Sequence, residues 1–191
     1  MVASQLFQAV ITVYLIGVAF TAPILKPDAA TVLSDLSTIS KNLETLDSNI
    51  LKFDGSRSKA VPLSESASAL MREMDKTIID TNKSAVFEPT DSATVTRAAA
   101  AIEPLILKSL NDISAKHSTI VSANQGGVTF GRLASLRTLT DQFAQVLESK
   151  LTPTNASNIA SATSDVDSAY SSAIALYMST GRGASSHSQT D

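Results

Sequence analysis

Residues 28–53, DAATVLSDLSTISKNLETLDSNILKF, decide the fold class. Their apolar members Val32, Leu36, Ile39, Leu43, Leu46, Ile50 and Phe53 recur at spacings of four and three, which is one face of an amphipathic helix. The positions between them carry Ser34, Asp35, Lys41, Asn42, Glu44, Asp47 and Asn49, and no Gly or Pro interrupts the run. A helix of this length is marginal alone in water. Its stripe therefore requires other helices with matching stripes.

Four candidates follow. Residues 54–61 contain Gly55 and several polar residues and read as a loop, with Pro62 near the start of a second helix. That helix turns Leu63, Ala67, Leu70, Met71, Met74 and Ile78 to one side. Pro89 and Asp91, the latter as N-cap, open a third long helix carrying Val95, Ile102, Ile106, Leu110, Ile113 and Ile120 in phase. Pro104 lies inside it, removes a backbone donor and crowds the carbonyl one turn earlier, so a kink or break is expected near Ala100. The small residues Ala98 to Ala101 beside that bend either admit another helix closely or leave a space. Residues 122–130, with Gly126 and Gly127, read as a loop. A fourth helix presents Leu133, Leu136, Leu139, Phe143, Val146 and Leu147 and ends before Pro153. The fifth presents Ile159, Ala162, Val166, Ala169, Ala173 and Leu176, a thin stripe in which half the positions are Ala.

The ends differ from this body. Residues 6–22 carry no charge and hold an apolar run over 9–20, so 1–22 reads as a secretory signal peptide, with a retained membrane anchor as the alternative. The run is shorter than the roughly 20 residues that span a bilayer. The bundle is expected over 23–178 and a disordered Ser- and Gly-rich tail over 179–191. At 191 residues the chain suffices for one domain, which at this size buries about 70% of its unfolded surface.

Composition excludes several chemistries. The chain has no Cys, which removes disulfides, thiolate metal sites and Cys nucleophiles. A net charge of -3 with mixed signs gives no footprint for nucleic acid, and 5% aromatic residues without Trp argue against base stacking. Phosphate-binding loops, nucleophile elbows and zinc-helix signatures are all missing. His117 and His187 are the only imidazoles, so a Ser-His-Asp arrangement would rest on His117, which reads as structural. A protein without catalysis, cofactor or metal is expected. Two N-glycosylation sequons occur, at Asn82 and Asn155. Asn155 falls at an expected exposed turn, whereas Asn82 lies near the edge of an apolar face.

In these patterns the chain resembles the hydrophobic surface-binding protein A family of filamentous fungi, which includes cell-wall galactomannoproteins that serve as antigens. The resemblance runs over about residues 28–177. It rests on the leader-like start, the first-helix stripe closing in Phe53-Asp54-Gly55, the Cys-free Ala/Ser/Thr-rich composition and the helix containing Ile102-Glu103-Pro104-Leu105. It implies a protein that is secreted, extracellular or in the cell wall, built as a helical bundle, with fatty acids held in a central apolar cavity in some related domains. A long Ser/Thr-rich stalk and an anchor signal are missing, which argues against covalent wall attachment.

The combined expectation is an all-α fold, a five-helix bundle, mostly antiparallel, with an apolar interior and a lipid cavity. Met71, Met74, Ile78, Leu110, Phe143, Ala169 and Ala173 are the candidate lipid-binding residues. Small side chains at Ala98, Ala162, Ala169 and Ala173 facing Met71, Met74, Leu110 and Phe143 would leave the space. Met adapts to a changing apolar neighbour, so Met71 and Met74 either line the cavity or fill core gaps. Ser, Thr or Gln near one end would meet a carboxylate head. The expected partner is a fatty acid or other lipid. The competing reading is an amphiphilic mannoprotein that adsorbs to hydrophobic surfaces or cell-wall polysaccharide and recruits a secreted hydrolase.

Overall fold

Asp28 stands just outside the first helical turn as its N-cap. Its Oδ1 accepts the Thr31 N–H at 3.0 Å, and this bond to the charged form holds the Asp28 carboxyl below its ordinary range. The computed structural model describes residues 28–183, with side chains through Met178, so the leader expected over 1–22 lies outside the described residues. Helix α1 (Ala29–Lys52) buries the whole stripe from Val32 to Ile50, and Phe53, its C-cap, is 1% exposed. Leu51, out of phase, is 50% exposed.

The remaining helices are α2 (Arg57–Lys83), α3 (Pro89–Ala100), α4 (Glu103–Ala115), α5 (His117–Ser122), α6 (Gly126–Glu148) and α7 (Pro153–Gly183). Six are long and α5 is a six-residue turn, in place of the five helices expected. The extra elements come from the third helix. Its kink is a full break between Ala100 and Glu103, since Pro104 in the first turn of α4 has no N–H for the Ala100 carbonyl. A second interruption at Lys116 separates α5.

Four boundaries also moved. The loop expected over 54–61 is a tight turn. Asp54 Oδ1 accepts the Ser56 N–H at 2.9 Å, and Gly55 takes φ +90°, a left-handed conformation that side chains oppose. Pro62 then lies inside α2 rather than at its start, because Ala60 and Leu63 pack on the core and draw the helix back past it. Glu88, not Asp91, is the N-cap of α3. The loop expected over 122–130 shrinks to 123–125, where Asn124 adopts φ +57° and the Gln125 N–H reaches the Ile120 carbonyl at 3.0 Å. Gly126 and Gly127 begin α6. At the other end, α7 continues to Gly183, past residue 178 where the bundle was expected to stop.

With α3 and α4 taken as one bent rod, five rods form a closed ring in the order α1, α2, α6, α7, α3/α4, each packed on its two neighbours. Polar contacts fix the directions. Asp35 pairs with Lys76, and the Asn49 amide donates to the Pro62 carbonyl, so α1 and α2 are antiparallel. Arg132 meets Ser64 near the starts of α6 and α2, while Lys150, just past the end of α6, reaches the carbonyls of Asn82 and Ser84 at the end of α2, so these two are parallel. Arg137 and Asp167 join α6 to α7, whose short connection makes them antiparallel. Asn155 bonds Ser92 at 2.9 Å and the Tyr177 hydroxyl donates to the Ile113 carbonyl at 2.8 Å, which sets α7 parallel to α3/α4. Asp47 pairs with Lys108, and Lys116 caps the Phe53 carbonyl at 3.0 Å, so α4 runs parallel to α1. Successive rods thus alternate along the chain, yet the expected antiparallel packing holds at only two of the five ring interfaces. Residues 84–88 connect α2 to a rod that is not its neighbour, and a ring with an odd number of rods cannot alternate throughout.

The α1 stripe supplies side chains all along the ring interior, so truncation there is costly. Leu36→Ala should cost about 2–5 kcal/mol, and Leu51→Ala should stay within about 0.5 kcal/mol, as read by urea unfolding. Tyr170 and Tyr177 are buried, and desolvation pushes both hydroxyls up to about 12 from 10.0. The folded state therefore binds more protons than the unfolded chain between those values. Their contribution is complete below pH 10 and is lost as pH rises toward 12. The Tyr170→Phe/Tyr177→Phe double variant should show a shallower fall of the urea midpoint across that window.

Candidate functional site

Five rods with interaxial distances of 8–10 Å keep each axis roughly 7–9 Å from the centre of the ring, so side chains alone must fill the middle. Among the described residues they leave an upper cavity of about 80 Å³ and a lower one of about 70 Å³. A single water needs roughly 10–15 Å³ measured this way, so each cavity exceeds one water several-fold.

The cavities lie end to end. Along α1 the upper one is lined by Leu43, Leu46, Ile50 and Phe53, and the lower one by Ile39 and Leu43. The same order recurs on the other rods: Ala67 and Leu70 above Met74 on α2, Leu110 above Ile102 on α3/α4, Leu136 above Phe143 on α6. Leu43, Leu70, Ile106 and Tyr170 line both and form the wall between them. The lower cavity also touches Ala99, Ala100 and Glu103 at the α3/α4 break, so the small residues beside Pro104 leave a space there.

The structure distributes the expected lipid-binding residues unevenly. Leu110 lines the upper cavity, and Met74 and Phe143 line the lower one together with Ala162. Met71 packs against the core beside them without lining either cavity. Ile78 is half-buried and Ala169 partly buried, while Ala173 is 3% exposed but lines neither. Two phase errors account for Ile78 and Ala169. On α2 the buried side continues through Thr77 and Thr81, polar residues that an apolar stripe does not select. The Thr77 hydroxyl bonds the Glu73 carbonyl at 2.8 Å, which permits its burial. On α7 the buried positions after Val166 are Tyr170, Ala173 and Tyr177, so Tyr170 faces inward in place of Ala169. Continuing the spacing of four and three from Val166 would have found it.

Polar groups are few. Arg132 is the one charged residue lining the upper cavity, where it stands with Ser64, Gln125 and Thr129. Glu103 is the one charged residue lining the lower cavity. Ser109 lines the upper cavity, 6% exposed, and its hydroxyl has no hydrogen-bond partner among the described residues. His117 stacks edge-on against Tyr177, with ring centroids 4.9 Å apart. The sequons also fall differently from expectation. Asn155 is half-buried, and its Nδ2, the atom a glycan would occupy, donates to Ser92 at 2.9 Å and Thr152 at 3.0 Å. Asn82 is exposed in the last turn of α2. Among the described residues no helix is long and apolar enough to cross a membrane.

The fold and the matched sequence place the chain among known proteins. No curated protein matches its sequence. The crystal structure of Afmp4p in complex with palmitic acid superposes with a TM-score of 0.77 at 35% identity, over 78% of this chain and 99% of that one. Ligand-binding domain 1 of the Penicillium marneffei MP1 protein, complexed with arachidonic acids, shares the fold at a TM-score of 0.72 and 15% identity, over 78% and 98% of the two chains. Domain 2 of the same protein, complexed with multiple arachidonic acids, gives 0.72 at 13% identity, over 80% and 97%. The sequence profile described as hydrophobic surface binding protein A matches residues 29–149. The chain therefore belongs to the hydrophobic surface binding protein A family.

Proposed function

We propose that the protein is a secreted, non-catalytic carrier that takes the hydrocarbon tail of a fatty acid along the axis of its helical ring. The observation that carries this reading is the end-to-end pair of apolar cavities, divided by only four side chains, Leu43, Leu70, Ile106 and Tyr170. Rotation of those side chains joins the two spaces into one channel that runs most of the length of α1. The palmitic acid held by a 35% identical structure supports the ligand class. The leader-like start supports an extracellular or cell-wall location.

Magnitudes permit it. Burying some 16 methylenes at about 0.8 kcal/mol each gives roughly 13 kcal/mol. Association costs about 4–15 kcal/mol, and the favourable end of the difference corresponds to a submicromolar Kd. Occupancy also reinforces the fold, because a ligand at about 100 times its Kd adds about 2.7 kcal/mol.

The family description favours a second reading, in which the protein adsorbs to hydrophobic surfaces through its outer face. Leu51, Val61, Ile79, Val86 and Val128 are each at least half exposed and would make that contact.

Calorimetric titration of the delipidated protein with palmitic acid should give saturable heat and a raised melting temperature. Neither would appear if the ring interior does not open. Ala162→Phe fills the lower cavity and should weaken the acid about tenfold or more, at a stability cost of no more than about 1–3 kcal/mol. Unchanged adsorption of this variant to wax, with lipid binding lost, would separate the two readings.

Peptide mapping after expression in a glycosylating secretory host should find glycan on Asn82 and none on Asn155, whose amide is held by Ser92 and Thr152. Glycan at Asn155 would require those bonds to break.

A further inference from the structure

We propose that Arg132 anchors the carboxylate of the bound lipid at the mouth of the upper cavity, with the tail directed past Tyr170 toward the lower one. This assignment rests on the carrier reading above.

The first observation is an uncommitted cation. Lys76, Lys108 and Arg137 each pair with aspartate. Arg132 lines the cavity and touches only neutral groups: Nη1 donates to the Ser64 carbonyl at 2.7 Å and to Ser68 Oγ at 3.4 Å, and Nη2 donates to Ser64 Oγ at 2.6 Å. Among the described residues no acidic side chain forms an ion pair with it.

The second observation is which edge of the guanidinium is used. Both terminal nitrogens are turned to Ser64, while Nε has no hydrogen bond to the described residues. Nε and the second Nη2 hydrogen form the side edge, which matches the two oxygens of a carboxylate. Arg137 uses that same edge in this molecule, holding Asp167 through Nε at 2.6 Å and Nη2 at 3.1 Å. Ser64 therefore orients Arg132 by its end and leaves its carboxylate-binding edge available.

The third observation is polarity along the axis. The upper cavity is lined by one cation and no acid, the lower by one acid and no cation. Gln125, Val128 and Thr129, also on the upper rim, belong to the cap and first turn of α6, whose N-terminal dipole end favours negative charge. An anionic head at the lower mouth would face Glu103 instead. The geometry thus favours a single orientation for a carboxylate-headed chain, and it selects the free acid over its neutral ester.

The test compares palmitic acid, its methyl ester and hexadecylamine against delipidated wild type, Arg132→Gln and Arg132→Glu, with melting temperatures recorded for each. Wild type should bind the acid about 10- to 100-fold more tightly than the ester, the range for a hydrogen bond to a charged group. Arg132→Gln should lose that preference while keeping its ester affinity, and Arg132→Glu should favour the amine. Raised salt should weaken the acid and leave the ester unchanged. A folded Arg132→Gln that binds the acid as wild type does would overturn the anchor. Should Arg132→Gln fail to melt cooperatively, the wild-type ratio decides: equal affinity for acid and ester overturns the anchor and leaves the carrier reading standing. Failure of wild type to bind either compound overturns both.

Discussion

The constraint behind this structure is the number of rods. Two or three packed helices can meet at a shared line, but five helices placed in a ring at ordinary interaxial distances cannot all reach the centre with short side chains. Leu, Ile and Phe from α1, α2, α4 and α6 extend into the middle, and Tyr170 crosses it from α7. The filling leaves the upper and lower cavities open among the described residues. A void forfeits dispersion contacts on its lining, so these side chains have contacts to gain from an apolar occupant.

Charged and polar contacts do a different task here. The pairs Asp35 with Lys76, Asp47 with Lys108 and Arg137 with Asp167 span three ring interfaces with their cations partly exposed, Asp35 itself being buried, and fix the register of neighbouring rods. Lys108 also bonds Asp112 on its own helix and holds that carboxyl below its ordinary range. Partly exposed pairs of this kind contribute little stability. Each joins one particular pair of rods, so together they distinguish this set of neighbours from the alternatives. Tyr177, by contrast, ties α7 to α4 from inside through the Ile113 carbonyl, at the level where α5 closes the upper end.

Much of the fold was legible, because strong periodicity and Pro placement leave little choice. The α1 stripe, the break before Pro104 and the starts at Pro89 and Pro153 follow from local physics. Pro62 and the Gly126-Gly127 pair misled because each is tolerated in or near the first turns of a helix whose later residues pack well. Ring order was not legible at all. It depends on residues 84–88 crossing to a distant rod, where Phe87 is buried and its N–H bonds the Lys150 carbonyl at 2.8 Å. The site was half legible. Leu110, Met74 and Phe143 were chosen as apolar residues in phase and line the cavities. Tyr170 was within reach of the spacing from Val166, whereas Thr77 and Arg132 carry polar atoms, and only the surrounding structure reveals that the first of these is buried and that the second faces a cavity mouth.

The central claim, that an acyl chain completes the ring interior, is tested most directly by intermolecular NMR contacts with uniformly labelled palmitate. The account predicts cross-peaks from mid-chain methylenes to the methyl groups of Leu43, Leu70 and Ile106, the wall that divides the two cavities. Contacts confined to Leu51, Ile79 and Val86 on the outer surface, with the wall methyls unperturbed, would contradict it.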